Sequence, residues 1–442
     1  MQLLLLHGAI GFMVYLLGFT STIYFLISFI IFMIYIISKG NKNNEVLLAA
    51  AYFTGAEVFF RMTETSIPYE AGKYIVIFFL FIGMIYRGTS LKSVPYWIFI
   101  FLLIPGIVFS AMNLNYETNV RNAIVFNLSG PFCLGIAAIY SYHRQITRER
   151  LQHILLALLL PIVTTAVYLF FFTPDIKDAL HGTQSNFETS GGFGPNQVAT
   201  ILGLGMLVLF TRLFTVKSKL INIIDLGLLI FISYRAIITF SRGGVITAGI
   251  CALVFFAIYF FSSNTTVKAR LIPKISIIII GIIFTWIFTS VQTTGLIDNR
   301  YSNRDAAGRL KEDITTGRSE LITSELIAFY ESPYTGIGVG KIKEYRYEKT
   351  GITAATHNEV SRLLSEHGIA GLIALIILFF TPLFYWLQHR RNPFILAFFA
   401  FWFITINHSS MRLAAPAFVY GLCLLYLINE TKSNSKRKIN KS

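Results

Sequence analysis

The residues best suited by type and spacing to chemistry are a few histidines, arginines and carboxylates set in a very apolar chain. His357 and His367 stand ten apart in THNEVSRLLSEHGIAG, residues 356–371. A neutral histidine, with an ordinary pKa near 6.5, can take a proton from a hydroxyl. His357 sits beside Thr356 and Asn358, where a helix is expected to begin, with Ser361 on its face and Glu359 and Glu366 on another. A purely structural interfacial histidine remains the competing reading. His367, just before Gly368, reads as a loop or C-cap residue. The spacing is not H-E-x-x-H and no third ligand cluster stands out, so a zinc site is not expected.

Arg235 and Arg242 lie seven apart in SYRAIITFSRGG, residues 233–244. On one continuous helix they would share a face, about 10 Å apart along the axis. Gly243 and Gly244 either break that helix or admit a close backbone. The planar fork of Arg242 suits a phosphate, and snorkelling to the membrane interface is the plain alternative. Arg235, lying deeper, reads as a supporting residue or the partner of a buried carboxylate. Glu57 and Arg61, four apart on one helix, can pair with each other. GIGVG at 336–340 does not fit G-x-G-x-x-G and follows no strand, so it reads as a turn and not a nucleotide loop.

Long apolar elements must position these groups. Of 442 residues, 55% are hydrophobic and 13% charged, roughly half the charge of a soluble domain. Apolar runs near 1–18, 20–38, 45–62, 73–87, 94–111, 123–141, 153–173, 195–215, 222–240, 243–262, 274–291, 369–387, 393–409 and 414–429 each approach the ~20 residues that span a bilayer. The fold class is an all-α polytopic membrane protein with about 12–14 transmembrane helices. The start, MQLLLLHGAIGFMVYLLGF, reads as a span and not a cleaved signal. Cys133, Cys251 and Cys423 lie inside apolar runs and read as small buried hydrophobes.

Alternate short loops are basic, for instance Arg144, Arg148 and Arg150, or Arg212, Lys217 and Lys219. The tail adds Lys432, Lys436, Arg437, Lys438 and Lys441. The positive-inside rule then puts both termini in the cytoplasm. The net charge of +15 is a topology signal, with anionic lipid head groups as partners and no nucleic acid. The chain divides into a transmembrane bundle (1–291), a large outer loop (292–368), and C-terminal spans with the basic tail (369–442). That loop is too long to be an idle connection. Within it, RSELITSELIAFYES (318–332) has Ile322, Leu326, Phe329 and Tyr330 at helical spacing, so short helices are expected to cap the bundle.

Four segments in order carry a family resemblance: GFGPNQVATIL (192–202), TFSRGGVITA (239–248), TGRSELITSELIAFYESPYTGIGVGKI (316–342) and THNEVSRLLSEHGIAGL (356–372). They resemble the O-antigen ligase and O-antigen polymerase superfamily of bacteria, over roughly 190–375. The resemblance implies a GT-C-type glycosyltransferase with its large, partly helical loop in the periplasm. It implies transfer of a glycan from undecaprenyl pyrophosphate to an acceptor hydroxyl, with no cofactor, metal or nucleotide sugar. The chain would lie in the bacterial inner membrane. His357 falls on the family's catalytic base; Arg318 and Arg242 fall on arginines near the pyrophosphate. Arg235, Asn196, Asn358 and Glu366 are candidate supporting residues. Glu57, Arg61, Glu70 and Lys73 match no family motif.

Among functions, a ligase joining polysaccharide to the lipid A-core of lipopolysaccharide comes first. A polymerase with another glycan as acceptor is the near alternative, and a protein O-oligosaccharyltransferase is third. A transporter would place its ionisable groups near the bilayer midplane. Here they gather at the outer surface.

Overall fold

The computed structural model describes residues 1–428, apart from 66–67, 174, 181, 313–316 and 352. The lysines and arginine of the basic tail lie outside the described residues. Nineteen helices follow one another among them. The first eight are α1 (Gln2–Leu16), α2 (Thr20–Lys39), α3 (Glu45–Met62), α4 (Ala71–Arg87), α5 (Val94–Leu102), α6 (Ile104–Asn113), α7 (Val120–Ser141) and α8 (Arg148–Phe172). A short α9 (Ile176–Ala179) precedes α10 (Pro195–Thr215), α11 (Lys219–Ile237), α12 (Arg242–Phe261) and α13 (Thr265–Gln292). The long loop then forms α14 (Leu296–Tyr301), α15 (Arg318–Glu331) and α16 (Ile342–Thr350) before α17 (Glu359–Gln388), α18 (Pro393–Ser409) and α19 (Ala414–Cys423).

Among the described residues, nine helical stretches are long and apolar enough to cross a membrane, and three shorter apolar helices accompany them. The chain is a multi-pass membrane protein. Each apolar run of the sequence meets a helix, although the last, 414–429, is helical only to Cys423; the run at 94–111 falls on the α5–α6 pair, which breaks at Leu103 before Pro105. The first two runs are two helices. A two-stranded parallel pairing of 145–147 with 426–428 is a small departure from all-α architecture.

The buried centre is built from α3, α8, α10 and α19, with α3 packed on α8, α10 on α11 and α12, and α19 on α7 and α18. Small residues set how close these helices come. A side chain on Gly55 would strike the backbone of Leu158, and one on Gly244 would strike that of Ala199, the close approach that small residues allow between membrane helices. All three cysteines are free and buried.

Helix directions gather the loops into two sets. One end of the bundle carries the basic connections. The other collects the C-terminal end of α3, the N-terminal ends of α7, α10 and α12, the α14–α16 loop, and the α18–α19 corner. Side-chain bonds tie this second end together: Arg61 reaches Gln197 at 2.9 Å and the Arg412 carbonyl at 3.2 Å.

Candidate functional site

His357 stands outside a helix, not in its first turn. Asn358 is the N-cap of α17; its side chain accepts from the Ser361 N–H at 3.1 Å, an ordinary asparagine cap. Helix geometry therefore starts at Glu359, and His357 is the last residue of an extended approach. Both sides of that approach are pinned. The Ser410 N–H donates to the His357 carbonyl at 3.1 Å, and Arg412 Nη2 to the Thr356 carbonyl at 2.6 Å. Asn358 Nδ2 donates to Asn407 Oδ1 at 3.0 Å.

From the loop side, Glu325 acts as a latch. It pairs with Arg346 at 2.8 Å, with both side chains buried, and the hydroxyls of Thr356 and Ser361 donate to the same carboxylate. Arg346 Nη1 also donates to the Ala354 carbonyl at 2.5 Å. A buried carboxylate must be paired and hydrogen-bonded, and this one spends its bonds on the residues flanking His357. The helix α15 lies where the sequence pattern places it, but the opposite face is turned inward. Glu325 and Ala328 are buried, whereas Leu326 and Tyr330 are exposed. The pattern had Ile322, Leu326, Phe329 and Tyr330 facing the protein; the polar latch occupies that side instead.

The His357 ring itself makes no hydrogen bond among the described residues. Burial pushes its pKa down to about 4, and the positive charges of Arg412, Arg318 and Arg346 push in the same direction. Its imidazole is therefore neutral at pH 7.

The arginines form a run beside it. Arg318 opens α15 and Arg242 opens α12. Burial lowers the pKa of Arg318, as do the charges of Arg242 and Arg412. Burial likewise lowers that of Arg300, followed by the charges of Arg242 and Arg318. No ion pair among the described residues involves Arg300, Arg318 or Arg412. Such mutually repelling cations suit an anionic ligand.

Local structure explains how they are held. Asn196 Oδ1 accepts from the Ser241 hydroxyl at 2.8 Å, fixing the residue just before Arg242 to the start of α10. Arg300 Nε donates to the Phe240 carbonyl at 2.9 Å, and Arg242 Nη1 to the Arg300 carbonyl at 3.4 Å. A side chain on Gly243 would strike the His408 ring.

Arg235 stands apart. The 233–244 segment is not one helix, because α11 ends at Ile237 and α12 begins at Arg242. Arg235 is fully buried and donates to the carbonyls of Leu169 at 2.7 Å and Thr189 at 3.4 Å. Among the described residues it has no carboxylate partner, and it shares no helix face with Arg242.

Glu366 lies deeper still, bonded to Arg362 at 2.6 Å and to the Gly340 N–H at 2.8 Å. It anchors the GIGVG turn, whose Gly336, Gly338 and Gly340 all have positive φ. A Cβ on Gly336 would strike the backbone of Glu366 and His367. The turn is thus a structural wedge between α6 and α17. His367 is buried within α17, and the chain leaves helical geometry one residue later, at a kink at Gly368 (φ 59°, ψ −135°).

The unassigned cluster of the sequence also finds a place. Glu57 and Arg61 pair at 2.5 Å. Glu57 Oε2 accepts from the Ala414 N–H at 2.6 Å, the first turn of α19. Together with the Arg61 bond to the Arg412 carbonyl, this pair holds the corner that presents Arg412. Glu70 and Lys73 form a second pair, with the Ser129 hydroxyl donating to Glu70 at 3.0 Å.

Four residues of this constellation escaped sequence reasoning: Arg300, Glu325, His408 and Arg412. Only Arg412 left a signal, an arginine in the very short connection between two apolar runs. Among the described residues, no group of three or more His, Cys, Asp and Glu is placed to hold a metal ion.

Residues 227–376 match the family model described as O-antigen ligase. The matched region is similar to the domain of that family. That region spans about a third of the sequence and includes Arg242, Arg318 and His357, but neither Asn196 nor Arg412. O-antigen ligase family members are glycosyltransferase-like enzymes, with lipid-linked glycans and acceptors as substrates. No curated protein and no solved structure matches the chain.

Proposed function

We propose that this protein moves a glycan from undecaprenyl pyrophosphate to an acceptor hydroxyl on the periplasmic side of the inner membrane, as an O-antigen ligase joining polysaccharide to the lipid A-core. The observation that carries the reading is His357: a neutral imidazole, without a hydrogen bond among the described residues, on a backbone pinned beside a run of arginines. In the reaction the acceptor oxygen bonds the anomeric carbon while the bond from that carbon to the pyrophosphate oxygen breaks. The acceptor proton passes to the His357 ring. The departing pyrophosphate keeps the bonding electron pair, and Arg242 and Arg318, with Arg300 and Arg412 beside them, stabilise its charge. Asn196 positions Arg242 through Ser241, Asn358 fixes the helix start after His357, and Glu366 holds the turn beneath. Arg235 stabilises the fold.

Deleting the gene tests the acceptor assignment. A ligase leaves lipopolysaccharide without polymer while long carrier-linked polymer accumulates. A single repeat unit on the core would reassign the protein as a polymerase. Normal lipopolysaccharide with unglycosylated exported proteins would make it a protein O-oligosaccharyltransferase.

A further inference from the structure

Beside His357 lies a cleft of ≈ 690 Å³ between the first turns of α7, the helix α16, and segments 353–356 and 410–412. That volume suits a small ligand of one or two sugar rings. We propose that this cleft seats the sugar that carries the attacking hydroxyl, a neutral, hydroxyl-rich ring; the inference rests on His357 being the general base.

The wall chemistry favours such a ring. Three asparagines of α7 and its cap line the cleft. Asn119 Oδ1 accepts from the Asn122 N–H at 3.0 Å, which leaves its amide N–H groups open. Asn127 Nδ2 donates to the Ala123 carbonyl at 2.9 Å, which leaves its oxygen open. The Asn122 side chain makes no hydrogen bond among the described residues. Amides offer donors and acceptors together, the complement of a hydroxyl, which is both at once. Phe126 is 42% exposed and Tyr347 60% exposed, although both line a cleft; open rings of this kind receive the apolar face of a sugar.

Charge argues against an anionic occupant at the floor. Glu359 and Arg362 pair with one another, and Glu344 is taken up by Lys341 at 2.8 Å. Lys343 stands exposed at the rim.

Position decides which sugar. Arg412 lines the cleft, whereas Arg242, Arg300 and Arg318 do not. The cleft thus begins where the run of cations ends. A nucleophile displaces a leaving group from the opposite side, and a ring in the cleft lies past Arg412, at the end of the cation run away from Arg242, Arg300 and Arg318.

The test uses the full-length enzyme in lipid nanodiscs, carrier-linked glycan extracted from the producing cells, and core oligosaccharide released from their lipopolysaccharide by mild acid. Asn122→Ala combined with Phe126→Ala should raise the KM for the oligosaccharide roughly tenfold or more while the KM for the donor stays unchanged. Both residues are exposed, so the fold tolerates the change, which a thermal melt checks. Binding of the oligosaccharide without donor, followed by saturation-transfer NMR, should weaken in the double variant and persist in His357→Ala. A rise in the donor KM alone would overturn the proposal by placing the donor sugar in the cleft. Unchanged constants and unchanged binding would show that no sugar sits there. Failure of the base assignment reads out separately, as transfer that survives His357→Ala.

Discussion

At the scale of the residue, the proton affinity of His357 is the quantity that its surroundings set. With a pKa near 4 in the free protein, the imidazole stays neutral down to that pH, so the acid limb of kcat/KM should fall near pH 4 and not near 6.5. Arg412→Gln removes one of the positive charges that depress it, so the limb should move to higher pH. An unmoved limb would mean that the Arg412 charge does not reach the base. Bound pyrophosphate acts in the same direction, since its negative charge favours the imidazolium; the limb of kcat should therefore lie above that of kcat/KM. His357 and Arg242 stood out in the sequence as candidates because short polar motifs interrupt long apolar runs, whereas Arg318 entered only through the family resemblance. Arg300 and His408 were not, since their proximity arises only when α14 and α18 fold back onto the start of α12.

At the scale of the element, the Glu325–Arg346 latch holds the approach to α17. Glu325→Ala would leave Arg346 buried without its partner, a loss of about 3–5 kcal/mol for a broken buried pair. Hydrogen exchange should quicken over 353–361 well before the membrane helices respond. Exchange unchanged in that segment would show that the latch does not position His357. Gly336→Ala should also be costly, about 1–2 kcal/mol from positive φ alone before any clash with α17; a thermal melt of the detergent-solubilised variant measures it. The existence of α15 was legible from its 3.6-residue period, but its orientation was not. A buried carboxylate with three protein partners outcompeted an apolar stripe for the inward face, and partners distant in sequence leave no local pattern.

At the scale of the whole molecule, the spans were readable almost completely from apolar runs, because backbone groups in a bilayer must bond within the helix. What composition could not show is how the helix ends meet. The Glu57–Arg61 pair, unassigned by any motif, ties α3 to the corner that carries Arg412. The charge asymmetry predicts orientation: an impermeant maleimide applied to intact spheroplasts should label cysteine placed at the exposed Tyr116 or Tyr334, on the loop end, and not at the exposed Leu91, on the basic end. The three native cysteines are buried and should stay silent. The reverse labelling pattern would invert the molecule and move His357 to the cytoplasmic side.

The central claim is that His357 takes the acceptor's proton. Its most direct test is transfer of glycan from undecaprenyl pyrophosphate by purified, full-length wild type and His357→Ala, with folding of both checked by thermal melting. The wild type should release undecaprenyl pyrophosphate in step with glycosylated acceptor, and His357→Ala should lose on the order of 10²–10⁴-fold in rate. A folded His357→Ala variant that transfers glycan at near wild-type rate would contradict the account.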